Sequence, residues 1–446
     1  MTIDLDRLYL EHVAALEQRS ARVLSERGWD AVAIHSGSLE KRSRYDDQYW
    51  PLRVCPHFQH WLPLAEPECL LLVRPGVRVK LLRIAAASFW EKPPPPETEA
   101  WREAMDVVEL RDPAEARQHL GAGRVAFVGE DAASAAAWGI AADRANPAPL
   151  LAALDALRTI KSAYEVACLA EANRRARAGH DALRDAFRAG DAPELDLHLL
   201  FLRATAQDDW QTPYKNIVAL GENAATLHHI AYGRHAPGGR TGESLLVDAG
   251  ATCRGYGSDI TRTWVKGRDA AASAFAQLVA GVEAMQQRLC AAVKVGMSYE
   301  ALHDESHRQV AAILRDVGLL RGSPEEAVAR GVTRSFYPHG LGHSLGLQTH
   351  DVGCALRPPR ADNPFLRNTS DVAVGQVFTI EPGVYFIAPL LDALRTRAEG
   401  ALVDWGVVEA LAPLGGVRIE DDVVVGARDV RNLTREQLPV GGAAVA

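Results

Sequence analysis

Apolar residues recur at helical spacing from Leu5 to Arg27, so the chain is expected to open with an amphipathic helix. The run DAVAIHSG then reads as a buried strand closed by a glycine turn. Further strands are expected in CLLLVRPG from Cys69, VKLLRIA from Val79 and RVAFVGED from Arg124. The proline run in EKPPPPETEA fits neither a helix nor a central strand. Together these elements predict an α/β domain over residues 1–155, built on a doubly wound or mixed sheet of ordinary domain size.

The pattern changes near residues 150 to 165. The stretch from Pro149 to Gly190 is alanine-rich and helical in period, and is expected to link the halves and become the first helix of a second domain. Beyond it, helical segments such as DAAASAFAQLVAGVEAMQQRLCAAV and SYEALHDESHRQVAAILRDVG alternate with strands near 245, 260, 377 and 418. No repeat of 20 to 50 residues is visible, which argues against a solenoid. Residues 156–446 are therefore expected to form an α+β domain with helices covering a curved, largely antiparallel sheet.

Bulk properties narrow the function classes. A length of 446 residues accommodates two or three domains, and 48% hydrophobic with 24% charged residues is ordinary globular composition. A net charge of −8 with no basic block speaks against nucleic-acid binding. The polar, amphipathic N-terminus shows no secretory leader, and no stretch is apolar enough to span a bilayer. Six scattered cysteines without a CxxC pair suit reduced, buried thiols and a cytoplasmic setting.

The chemistry lies in the second half. Asp248 in LLVDAGA, Asp259 in GSDITRTW, Glu381 in TIEPGVYF and Glu420 in GGVRIEDDVVV sit in apolar or glycine-flanked strand contexts, and His343 sits in PHGLGHSLG. A buried, unpaired carboxylate is costly or becomes neutral, so positive charge is expected beside these four. Asp248 and Asp259 flank a turn-prone segment that a hairpin would close, bringing both carboxylates together. Glu420 is expected to share a strand face with Arg418 and Asp422. Any one of these residues alone would read as a strand-end cap or half an ion pair; the five together predict a metal centre. Oxygen-dominated ligands favour Mn²⁺, Co²⁺ or Zn²⁺, and two such ions roughly 3.5 to 4 Å apart are a common hydrolytic arrangement. In such a site Glu381 would move the water proton and His350 would donate to an oxyanion.

DAGATCRGYGSDITRT, PHGLGHSLGLQTHDVG, TIEPGVYF and VRIEDDV resemble the signature segments of the pita-bread metallopeptidases. That group includes methionine aminopeptidase, aminopeptidase P, prolidase and the non-metal creatinase; the five retained ligand positions argue against the last. YWPLRVCPHFQHWLPLAEPECLLLV and TPYKNIVALGENAATLHH are similar to segments of the bacterial prolidases, the Xaa-Pro dipeptidases of the PepQ type, and the likeness runs along nearly the whole chain. The resemblance implies an α/β N-terminal domain followed by an α+β pita-bread catalytic domain. It implies two divalent ions, manganese above cobalt or zinc. Asp248 would chelate one, His343 and Glu381 the other, and Asp259 and Glu420 would bridge them. It places His350 at the scissile carbonyl, His228 at the substrate and His339 in support, with Arg418 and Arg367 on the substrate's C-terminal carboxylate. A small dipeptide substrate, a cytoplasmic homodimer, and a side activity on organophosphorus esters or fluorides also follow from it. The family usually has Tyr where this chain has His229, and often a basic residue where it has Ser370. Two other functions remain in view: an aminopeptidase P acting on longer Xaa-Pro peptides, and a non-catalytic binding protein on the same fold.

Overall fold

A computed structural model describes residues 4–84 and 95–439, which fall into two compact units, Met1–Cys168 and Leu169–Ala446. The expected boundary at 155/156 falls inside a helix, Ala148–Thr159. Part of the proline run, residues 91–94, lies outside the described residues.

The first unit opens with α1, Leu5–Glu26, whose buried face carries Tyr9, Val13, Leu16 and Leu24 at helical spacing. Its sheet has five strands: β1 Ala31–His35, β2 Leu70–Arg74, β3 Val77–Ile84, β4 Asp106–Leu110 and β5 Val125–Val128. The order is β4-β3-β2-β1-β5, with β1/β5 and β3/β4 parallel and the other pairs antiparallel, so the sheet is mixed. Strand β4 was not among the sequence expectations. It lies at the sheet edge, and its DVVEL run is only partly buried, so it lacks the continuous apolar signal of β1 and β2.

The expected single helical stretch is two helices, α2 Ala148–Thr159 and α3 Ala163–Ala189. Ser162 separates them. Its amide donates to Glu165 Oε2 at 2.8 Å while its Oγ accepts from the Glu165 amide at 3.3 Å, a capping box that starts α3. Periodicity alone does not reveal such a break, because alanine suits both sides of it. All six cysteines are buried and none is joined in a disulfide.

In the second unit, α4 Glu194–Thr205 precedes a three-stranded sheet of β6 Ile217–Leu220, β7 Ser244–Asp248 and β8 Thr261–Val265, with β7 central. Helices α5 Ala270–Ala292 and α6 Tyr299–Asp316 share the main apolar core with residues of the later strands and the joint between them, including Ile380, Val417 and Ile419. Those strands form one long antiparallel arrangement interrupted at its middle. β9 Val377–Ile380 pairs with β12 Asp421–Val425, and β10 Gly383–Tyr385 pairs with β11 Gly416–Arg418. The uninterrupted strand expected through VRIEDDVVV is thus split. Pro382 has no N–H to continue the ladder, and the Glu420 amide turns instead to Thr261 O at 3.0 Å.

Behind that joint lies a buried ion network. Asp421, with no solvent exposure, accepts from Arg262 Nη2 at 2.8 Å, Arg435 Nε at 2.7 Å and Asn432 Nδ2 at 2.8 Å. Burial pushes its pKa up, but Arg262 and Arg435 outweigh that and hold it below the usual value. Arg262 Nη1 also donates to Glu420 O at 2.9 Å, so the network fixes the backbone of the joint. Removing one partner of such a pair leaves an uncompensated charge, so Asp421→Ala is expected to cost about 3–5 kcal/mol of stability. The shift of the denaturant midpoint measures it; a loss below about 1 kcal/mol, the scale of an exposed pair, would contradict this account.

Candidate metal centre

The five candidate ligands converge from three strand regions and one loop. Asp248 ends β7 and stands opposite Thr261 of β8. Asp259 lies just before β8, and the turn between the two is held by Ala249 N to Ile260 O at 3.0 Å and Ser258 N to Ala251 O at 2.9 Å. A Cβ on Gly250 would lie 1.9 Å from Ser258 O, so no side chain fits where the turn crosses itself. Glu381 and Glu420 occupy the two sides of the joint between the β9/β12 and β10/β11 pairs. His343 is brought to β9 by Thr379 N to His343 O at 2.9 Å and Glu381 N to Leu341 O at 2.8 Å. At Gly342 a Cβ would meet Thr379 O at 2.1 Å, so only glycine permits this approach.

Side-chain atoms of Asp259, His343 and Glu420 lie within 4.8 Å of one another, all buried. His343 Nε2 is 3.4 Å from Asp259 Oδ2 and 3.6 Å from Glu381 Oε1. Tyr214 Oη lies 2.6 Å from both Asp248 Oδ1 and Asp259 Oδ1. A phenol has one proton, so it satisfies one of these contacts; the other calls for a second proton or a cation. Glu420 Oε2 accepts from Thr261 Oγ1 at 2.6 Å.

The titration behaviour expresses the same crowding. Burial, then the charges of Asp259, Glu381 and Asp248, raise Glu420 well above its ordinary value. Burial raises Glu381 to about 7 and Asp248 to about 6, against the pull of His343 on the first and Arg418 on the second. Asp259 is also desolvated, but His343 beside it brings its pKa below the usual value. His343 is correspondingly raised to about 9, because Asp259 and Glu381 outweigh its burial. In the absence of a cation, protons hold this cluster together. Four carboxylates and one imidazole drawn this close match the hard-ligand chemistry of divalent metals, so these residues fit the implied ions.

The other candidates fall around this centre. Arg418 is 4% exposed and donates through Nη2 to Asp248 Oδ2 at 2.7 Å, Nη1 to Tyr385 Oη at 2.9 Å and Nε to Thr261 Oγ1 at 3.1 Å. The guanidinium is the counter-ion of Asp248, because a buried carboxylate there needs a fixed partner. Arg367 is exposed and, among the described residues, has no ion-paired partner. His339 is locked as a neutral ring: Nδ1–H donates to Gly340 O at 2.8 Å, Nε2 faces Tyr385 Oη at 2.8 Å, and burial lowers its pKa to about 3. His350 remains partly exposed, edge-on to His343 with ring centroids 4.4 Å apart. Desolvation, then His343 and Arg367, lower it to about 4. His228 is exposed and close enough to act electrostatically on both His339 and His350. His229 turns the other way and pairs with Glu194 Oε2 at 2.9 Å. Ser370 is buried and donates to Asn368 Oδ1 at 2.7 Å.

Sequence reasoning missed Tyr214, Thr261 and Tyr385 as members of the site. Nothing in the pattern of TPYKN marks its tyrosine, whose carboxylate partners are 34 and 45 residues away.

A second group with ligand chemistry, His12, His60 and Glu165, lies in the first unit. It is a hydrogen-bonded core. Both nitrogens of His12 are engaged, by Ser162 Oγ and His60 O, each at 2.8 Å, and Glu165 closes the capping box of α3. Arg158, Lys161 and Arg19 add positive charge around His60, which burial already drives far below its ordinary pKa. A further cation is disfavoured there.

Residues 167–427 match metallopeptidase family M24, and residues 7–156 match the N-terminal domain of Xaa-Pro dipeptidase. A Xaa-Pro dipeptidase of Pseudoalteromonas atlantica is 39% identical over 442 residues, covering 97% of this chain and 98% of the relative. Those of Aeromonas hydrophila and Xanthomonas campestris are 40% and 41% identical over 440 and 441 residues, with 98% of each relative covered. Among solved structures, proline aminopeptidase P II of Yersinia pestis aligns with a TM-score of 0.72 at 25% identity, over 96% of both chains. Zinc-substituted Escherichia coli aminopeptidase P aligns with a TM-score of 0.72 at 24% identity over 94% of both, a likeness of fold. The α/β domain followed by a pita-bread domain is common to all of these comparisons. The chain belongs to metallopeptidase family M24, and its first unit is the N-terminal domain that characterises the Xaa-Pro dipeptidases.

Proposed function

We propose that this protein is a dinuclear-metal dipeptidase that hydrolyses Xaa-Pro dipeptides, with manganese as its working metal and a cytoplasmic homodimer as its working form. The observation that carries the reading is the buried convergence of Asp248, Asp259, His343, Glu381 and Glu420, in a chain whose full-length relatives are named Xaa-Pro dipeptidases. When bound, two divalent ions supply a polarised water and a Lewis acid for the scissile carbonyl. Asp259 and Glu420 would be shared between the ions, with Asp248 serving one and His343 and Glu381 the other.

The remaining work belongs to side chains. Glu381, at the open side of the joint, takes a proton and delivers it to the leaving nitrogen. His350, in its protonated or N–H form, donates to the developing oxyanion, and His228 holds substrate. His339 and Tyr385 keep Arg418 and the His343 loop in place through the chain Arg418 to Tyr385 to His339. Arg367 is the free guanidinium that meets the terminal carboxylate of a dipeptide. The aminopeptidase P reading finds support in the solved structures of similar fold; it differs in requiring no carboxylate directly after proline.

Metal binding is expected to displace protons. At pH 6, Glu381 and His343 carry protons in the metal-free protein, since their pKa values lie at about 7 and about 9, and burial with the neighbouring carboxylates shifts Glu420 upward in the same direction. Titrating Mn²⁺ into stripped protein should therefore release protons, read by calorimetry in buffers of different ionisation enthalpy, and affinity should rise with pH. Asp259→Asn should lower the stoichiometry below two metals per chain and abolish turnover. Activity in verified metal-free protein, or binding without proton release, would refute the dinuclear assignment.

Substrate length gives the second expectation. A charged hydrogen bond contributes about 1.5–3 kcal/mol, so free Xaa-Pro should be preferred over its C-terminal amide by roughly 10- to 100-fold in kcat/KM. Arg367→Ala should shrink that ratio. Equal kcat/KM for acid and amide in the unaltered protein would favour the aminopeptidase P reading.

A further inference from the structure

Glu194 is the first residue of α4, next to Pro193, and its carboxylate is 3% exposed. Four donors meet it. Oε1 accepts from Leu220 N and Asn223 Nδ2, both at 2.8 Å; Oε2 accepts from His229 Nε2 at 2.9 Å and Gly233 N at 2.7 Å. All four belong to the stretch 220–233, which leaves the end of β6 and, beyond the short turn Gly221–Ala225, has no helix or strand of its own. The Leu195 amide returns a bond to Gly233 O at 3.1 Å, and Tyr232 stacks on His198 with ring centroids 4.5 Å apart.

The two ends of this stretch are therefore secured by backbone and aromatic contacts. Its middle is secured by His229. The neighbouring residue, His228, is exposed and reaches electrostatically to His339 and His350 at the metal centre. His228 immediately precedes His229 in the same loop, so tying the His229 ring to Glu194 limits where the backbone can carry His228. Burial alone would make Glu194 a weaker acid, but His229, Gly233, Leu220 and Asn223 outweigh it and keep the carboxylate ionised. Charge-assisted bonds to a carboxylate are shorter and stronger than neutral ones, which suits a group that must hold a loop without a ladder.

We infer that Glu194, acting through His229, is a positioning residue that fixes the loop carrying His228. The inference rests on the dipeptidase reading, in which His228 faces substrate.

A double-mutant cycle tests it on the metal-loaded full chain, with an Xaa-Pro dipeptide as substrate. Glu194→Gln keeps the shape but removes the charge and one acceptor oxygen, and should lower kcat/KM by about tenfold, equivalent to about 1.4 kcal/mol, with two metals still bound. In a His228→Ala background the same change should have little further effect, because two residues acting through one contact are not additive. His229→Leu should behave as Glu194→Gln does, whereas His229→Gln, which restores an N–H donor, should recover most of the activity. In metal-free protein, amide hydrogen exchange over 226–233 should quicken in Glu194→Gln and in His229→Leu but not in His229→Gln. If Glu194→Gln does not fold, the cycle with His229→Leu decides. Multiplicative losses in the cycle, or no rescue by His229→Gln, would overturn the positioning role while leaving the dipeptidase reading intact. No effect of His228→Ala alone would overturn both the inference and the assigned role of His228, and lack of dipeptide turnover in the unaltered protein would overturn the reading itself.

Discussion

Four carboxyl groups held within one another's electrostatic reach, and away from bulk water, set the terms for the second unit. An ionised carboxylate withdrawn from water is destabilising by several kcal/mol unless it is paired and hydrogen-bonded. The protein pairs two of them itself: Arg418 with Asp248, and His343 with Asp259. Glu381, Glu420 and, even beside Arg418, Asp248 still titrate upward, which is the signature of a site short of positive charge. Divalent cations supply that charge without filling the site with side chains, so room remains for water and substrate.

The backbone is arranged to bring these groups together. Two antiparallel pairs would make one continuous ladder if Pro382 and Ile419–Glu420 did not interrupt it. The interruption frees Glu381 and Glu420 from the sheet faces and lets Glu420 N bond to Thr261 O, which joins the joint to β8 and thereby to Asp248 and Asp259. Such an opening weakens a sheet locally. The buried network of Asp421, Arg262 and Arg435 stands directly behind it and fixes the backbone by Arg262 to Glu420 O. Gly250 and Gly342 complete the arrangement by allowing carbonyl contacts that no side chain would permit.

Burial falls from the centre outward. The ligands stand on or beside strands and are largely buried, whereas His228, His350 and Arg367 stand on loops and are exposed. A metal centre needs fixed geometry, and a substrate rim must admit and release its ligand, so this division follows from the chemistry. Glu194 supplies at the rim what the strands supply at the centre: a set of short bonds that limits where one histidine can go.

Much of the architecture was legible in the chain. Helical spacing located α1, α5 and α6, and apolar runs located β1, β2, β3 and β5, because burial imposes period on sequence. Acidic residues in apolar strands marked the centre, because only a compensated carboxylate survives there. What sequence did not disclose depended on contacts between distant residues. The break at Ser162 came from a local hydrogen-bond exchange rather than a change of period, and β4 from pairing at an edge with little burial. Tyr214 and Glu194 joined the site region, and Arg418 took Asp248 as its counter-ion, only once the chain had folded. A residue's type sets which bonds it can make, but the partners that arrive within about 3 Å are decided by the tertiary fold, since they come from segments whose separation along the chain carries no signal.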